Sequence, residues 1–216
     1  MKYVFLFFPP GAAGNFFSRC LNLLDNSYCW VDNETQSLVQ DQQDKLALLS
    51  YQSISSVDPT QRSWIKFENL VCRCQHNSLP TTAQYVVWPS HPTYTVLQKN
   101  LVGIDDEQFV FLIDASDDFE WCILNALYKN SYVSEAWLRA AEEMRQDSNI
   151  QKISLQRIVD SCDSFLQEFQ LVCDTIGHTL TESEKLAIIT LYNEWKLTIL
   201  DHKKFEEFKN FIGFNW

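Results

Sequence analysis

Glycine and proline are scarce, at 5 and 6 of 216 residues. That scarcity excludes collagen-like repeats and Gly- or Pro-rich linker material. Basic residues are also few: 17 Lys and Arg stand against 28 Asp and Glu, a formal net charge of −11. A chain that grips DNA or RNA along its length is ordinarily basic, so no nucleic-acid partner is expected. Long apolar runs are missing, since none nears the ~18 residues that cross a membrane. The run Tyr3–Phe8 behind Met1-Lys2 stops at Pro9-Pro10, too soon for a signal-peptide core. It reads as a buried first strand instead, and no membrane span is expected. The seven cysteines are odd in number and scattered, several on apolar helical stripes, where thiols act as small hydrophobes. No disulfide framework and a reducing, cytoplasmic location are therefore expected.

Apolar mass is not lacking. Hydrophobic residues make up 46% and aromatics 14%, enough for a packed core. The length fits one domain, 1–216. Its expected parts are a nucleotide-binding-like core (1–133) and a mainly helical portion packed on it (134–216).

Lys2–Phe8 is a continuous apolar run, the pattern of a strand buried on both faces in a parallel sheet. It ends in Pro9-Pro10-Gly11-Ala12-Ala13-Gly14. Phe17, Cys20, Leu21 and Leu24 then recur at helical spacing, giving a helix with one buried stripe. Tyr85–Trp88 and Phe109–Ile113 read as further strands, and Lys152–Leu155 as a short last one. A helix follows Asp114, with Phe119, Cys122, Ile123, Ala126 and Leu127 on one face. Trp137, Ala140, Ala141 and Met144 mark another helix. Phe165, Leu166, Phe169, Cys173 and Ile176 mark the next, with Gly177 as its stop. Thr181–Glu184 is a capping box opening a helix through Ile188, Leu191, Tyr192 and Trp195. Phe205, Phe208 and Phe211 continue a final amphipathic piece. The fold class is α/β: a three-layer, P-loop-like parallel sheet flanked by helices, with an α-rich C-terminal portion.

A helix N-terminus offers unpaired N–H groups and about half a positive charge. Small residues before it let a phosphate approach the backbone. Gly11, Ala12, Ala13 and Gly14, with Asn15 and Phe16 behind them, are therefore the candidate anion cradle. Gly14 is expected at positive φ, where a β-branched residue does not fit. The spacing differs from an ATP-type P-loop, which needs Lys and Ser/Thr after its last glycine. Here Asn15 and Phe16 stand there. Phe109–Asp114 does resemble a Walker-B strand ending in a carboxylate.

These pieces together resemble the sulfotransferase family. Phe8–Phe16 stands where members carry a Pro-Lys-Ser/Ala-Gly-Thr-Thr loop, Val87–Pro92 where they carry a Thr-His-Leu-Pro-like segment, and Phe111–Ala115, with Asp117–Lys129 as its helix, where they carry Arg-Asp/Asn-Pro and a Ser further on. The likeness covers about residues 1–130. It implies a P-loop-like fold and 3′-phosphoadenosine 5′-phosphosulfate as donor, with no metal. It also implies transfer of a sulfuryl group to a hydroxyl of a small molecule or carbohydrate. His91 takes the role of catalytic base, since an imidazole titrating near pH ~6.5 suits proton removal from a hydroxyl. The family's loop Lys has no counterpart, its Arg falls at Ile113 and its following Ser at Trp121. Two other functions are open: an atypical P-loop phosphotransferase using Mg²⁺ at Asp114, and a non-catalytic scaffold.

Cys72, Cys74 and His76 are possible metal ligands but lack a second spaced pair, so no zinc is expected. Asp114, Asp117, Asp118 and Glu120 read as capping carboxylates for the helix after them. Arg19, one turn into the first helix, reads as a solvated helix-face residue.

Overall fold

A computed structural model describes residues 2–9, 11–29, 84–90, 107–128, 135–199, 204–205 and 207–209. His91 and the Cys72–His76 group lie outside these residues, as do the segments 44–52 and 64–74 read as secondary structure. So does Pro10 within the glycine turn.

Five strands form one parallel sheet: β1 (Lys2–Phe7), β2 (Ser27–Cys29), β3 (Tyr85–Ser90), β4 (Glu107–Asp114) and β5 (Gln151–Ser154). Their spatial order is β2-β3-β1-β4-β5, and every neighbouring pair is parallel. The central strand is β1, as its unbroken apolar run requires. Residues Tyr3 to Phe8 are all buried, so both faces of the sheet are covered. The three long strands are therefore parallel neighbours, β3-β1-β4, as the sequence predicts.

β3 runs two residues further than its apolar pattern suggests. Pro89 pairs with Leu6 and Ser90 with Phe7. Proline cannot donate to a ladder and is tolerated where a strand has no partner on one side. Among the described residues β2 pairs with Tyr85–Val87, so Pro89 lies beyond the last described β2 partner. β2 itself, three residues long, has no signature in the sequence.

Helix α1 (Gly14–Asn22) follows β1, and its predicted stripe of Phe17, Cys20, Leu21 and Leu24 is fully buried. A 3₁₀ turn (Ser116–Asp118) leads from β4 into α2 (Phe119–Tyr128). Cys122, Ile123 and Ala126 of the predicted stripe are buried, and so is Leu124 on the helix's other side; Leu127, in the last turn, departs from the expectation at 39% exposed. Helix α3 (Glu135–Gln146) follows, with Ala140 and Met144 buried. The strand β5 belongs to the portion read as mainly helical and completes the sheet beside β4.

Three capped helices follow β5: α4 (Leu155–Asp160), α5 (Cys162–Ile176) and α6 (Glu182–Lys196). Side chains of Ser154, Ser161 and Thr181 cap their N-termini. Gly177 ends α5 at φ 73°; His178 N–H bonds Cys173 O and Gly177 N–H bonds Asp174 O, a Schellman stop. One continuous core joins Val4, Leu6, Phe111 and Ile153 of the sheet to α1, α5 and α6. Among the described residues, no helix is long and apolar enough to cross a membrane.

Candidate functional site

In open parallel sheets, ligands bind beyond the carboxyl ends of the strands, where successive connections leave in opposite directions. The strand order places that point between β1 and β4. The chain leaves β1 toward β2 and β3 on one side and leaves β4 toward β5 on the other. Phe7, Ser90 and Leu112 stand level across the sheet at this edge. The glycine turn follows β1 there, and Asp114 closes β4.

The turn is tightly built. Ala12 N–H donates to Pro9 O at 3.1 Å, so that amide is committed inside the turn. Gly11 has φ 82° and Ala13 has φ 59°. Gly14 does not share the left-handed conformation expected of it, and its need for glycine is steric. A Cβ on Gly14 would come within 1.9 Å of the Phe8 ring. A Cβ on Gly11 would meet Cys122 O of α2 at 2.0 Å. Asn125 of α2 donates its Nδ2–H to Gly11 O at 2.9 Å, pinning the turn from behind. Both glycines thus let protein atoms approach, Phe8 from one side and α2 from the other.

Helix α1 starts from Ala13 with no side-chain cap and no acidic residue in its first turn. Phe17 N–H makes the first helical bond, to Ala13 O. The amides of Gly14, Asn15 and Phe16 precede it and have no acceptor within the helix. Asn15 is exposed, whereas Phe16 is buried against the C-terminal helices. Its ring stacks on Trp195 with centroids 4.2 Å apart and lies 5.0 Å from Phe165. Arg19 is half-buried rather than solvated.

Beside the turn, Pro9, Asp114, Ser116 and Arg145 surround a small hollow of about 40 Å³. Arg145 of α3 donates to Glu142 at 2.7 Å and lies within electrostatic reach of Asp114 and Asp117. Among the described residues, its buried Nε has no hydrogen-bond partner. Asp114 accepts from Ser116 N–H at 3.0 Å.

A larger crevice, about 290 Å³, opens across β4 and β5. Asp114, Ser116, Asp117 and Asp118 line one side; Lys152, Ser154, Gln156, Arg157 and Glu168 line the other. Glu168 is buried and doubly held, by Arg157 Nη1 at 3.0 Å and by Ser154 N–H at 3.3 Å. Arg157 also reaches Gln167 at 2.5 Å, and Lys152 Nζ donates to Asp147 O. Asp117 and Asp118 fall in the 3₁₀ turn before α2, and Glu120 pairs with Lys209 at 2.6 Å.

Among the described residues, no three His, Cys, Asp or Glu side chains group closely enough to share a metal ion. Cys20, Cys122, Cys162 and Cys173 are thiols. Burial pushes all four above the ordinary cysteine range, which suits packing rather than nucleophilic chemistry.

The sequence predicts the turn and His91 at this edge; the turn is there, and His91 lies outside the described residues. Sequence reasoning missed Arg145, Lys152, Arg157 and Glu168. The one legible signal is position: Arg157 lies just past the carboxyl end of a predicted strand, the place where ligand-facing residues gather. No protein-family model matches the sequence, and no curated protein matches it.

Proposed function

We propose that the chain is a divergent sulfotransferase with a P-loop-like fold. In this reading the first-turn amides of α1 hold the phosphosulfate of 3′-phosphoadenosine 5′-phosphosulfate. The acceptor's hydroxyl oxygen attacks sulfur, and the bond from sulfur to the 5′-phosphate oxygen breaks. The hydroxyl proton passes to His91, and adenosine 3′,5′-bisphosphate leaves. Aligned amides at the leaving oxygen supply most of the rate.

One observation carries the reading. Of the four helices whose N-caps are described, α1 alone has no side-chain cap. It is also the helix that follows the central strand at the ligand edge. An anion there would take the place that Ser154, Ser161 and Thr181 fill elsewhere. Arg145, which lines the hollow with Pro9, is a candidate substitute for the charge that the family's Lys supplies.

A second reading is supported by the packing of the turn. Gly11 and Gly14 are both needed to fit α2 and Phe8, whether or not an anion binds. The chain would then be a non-catalytic scaffold of the same fold.

Calorimetric titration of adenosine 3′,5′-bisphosphate at low salt separates the two. Wild type binds in the first reading, and Asn15→Glu does not. Asn15 is exposed, and a carboxylate at this position favours the helix dipole. The variant should therefore be as stable as wild type, or more stable by roughly 0.3–1 kcal/mol, while losing the ligand. His91→Asn should keep the bisphosphate and lose transfer. No binding by wild type at millimolar ligand selects the scaffold.

A further inference from the structure

We propose that the crevice over β4 and β5 binds a sugar that carries no negative charge. The site is open to solvent at the ligand edge of the sheet. Its volume, about 290 Å³, lies at the small end of ligand pockets and suits one sugar ring rather than a nucleotide.

The lining decides the chemistry. A sugar ring presents several hydroxyls, each both donor and acceptor, and needs both kinds of partner around it. Ser116 and Gln156 offer both, and Asp117 accepts. All three are exposed side chains. Glu168 gives the site a fixed floor, because its carboxylate is buried and held by Arg157 and Ser154.

An anion fits poorly. Four carboxylates, of Asp114, Asp117, Asp118 and Glu168, face two cations, Lys152 and Arg157. Both cations already have partners, in Asp147 O and in Glu168 with Gln167. A phosphate or carboxylate would meet net negative charge with no cation released to greet it. A neutral sugar meets no such repulsion, and an amino sugar is attracted. As the acceptor site of a sulfuryl transfer the crevice rests on the reading above; as a sugar site it does not.

Saturation-transfer NMR on the full chain tests this with glucose, galactose, mannose, glucosamine and glucuronate. At least one neutral sugar or glucosamine should bind saturably, and glucuronate more weakly than either. Gln156→Ala and Asp117→Asn should each weaken that binding about twofold to tenfold, the loss of one hydrogen bond. Both side chains are exposed, so the melting temperature should hold for Gln156→Ala and fall for Asp117→Asn by no more than the loss of one carboxylate at a helix N-terminus. Titration of adenosine 3′,5′-bisphosphate into the same variants should be unchanged, which keeps failure here distinct from failure at the turn. No saturable sugar binding, glucuronate binding tightest, or indifference to both substitutions overturns the proposal.

Discussion

Single atoms decide the glycine turn. Gly11 faces a helix carbonyl that cannot move without unwinding α2, and its φ of 82° suits glycine alone. Gly14 faces the buried Phe8 ring, which an added Cβ would force to shift, but its backbone is not left-handed. Gly11→Ala should therefore cost more than Gly14→Ala, by about 1–3 kcal/mol at the strained position. Urea unfolding of the two variants checks the order. Phe8→Ala should then rescue part of the Gly14→Ala loss, because the clash needs both groups. A double-mutant cycle should return a coupling of roughly 0.5–3 kcal/mol. Additive losses would mean that the ring does not touch Gly14. The same geometry bears on ligand tests. Bulk at Gly14 disturbs packing as well as any anion, so Asn15→Glu is the cleaner probe. The sequence named the small residues correctly but not the position that needs positive φ. Only the approach of α2 and Phe8 distinguishes Gly11 from Gly14, and both approaches are tertiary.

At the level of elements, local rules explain most of what the sequence made legible. The strand runs of β1, β3 and β4, the stop at Gly177 and the box at Thr181 depend on neighbours in the chain. β2 was not legible, because three residues held by one partner strand carry no pattern of their own. Asn125 was hidden inside an apolar helix, and its role appears only when α2 meets Gly11. The crevice charges were hidden similarly, since Lys152 of β5, Arg157 of α4 and Glu168 of α5 come from three separate elements.

The capping box does more than start α6. Glu184 accepts from Thr181 N–H at 2.7 Å, from Asp25 N–H at 2.8 Å, and lies 3.0 Å from His178 Nε2. Burial alone would raise its pKa. Hydrogen bonds from Thr181 and Asp25, with His178 beside it, outweigh burial and hold the carboxyl below its ordinary 4.5. A depressed folded pKa gives stability that is complete above the unfolded value and fades as pH falls through the folded one. The stability gap between wild type and Glu184→Gln should be widest near neutrality and close below pH ~4.5. Denaturant melts at several pH values check this; a gap that persists unchanged into acid would mean that the carboxylate charge contributes nothing.

Across the whole molecule, the C-terminal helices hold both ends of the sheet. At the amino end, Lys2 Nζ donates to Ile176 O at 2.6 Å, and Asp25 N–H reaches Glu184 across 159 residues of sequence. At the carboxyl end, Phe16 of the turn lies among Phe165, Tyr192 and Trp195. The α1 N-terminus is therefore positioned by α6 although α6 never enters the sheet. Two consequences can be measured on the full chain. Unfolding should be one transition, with far-UV circular dichroism and tryptophan fluorescence coinciding, because one core joins the sheet to α1, α5 and α6. Two resolved transitions would show that the helical portion folds apart from the sheet. Trp195→Ala should cost about 3–5 kcal/mol, as a buried indole is lost from an aromatic cluster. It should also weaken adenosine 3′,5′-bisphosphate at the turn, since Phe16 loses the stack that sets the first turn of α1. Trp195→Phe keeps a ring against Phe16 and should restore most of both. Stability lost with ligand affinity intact would mean that the anion, if it binds, does so where α6 has no influence.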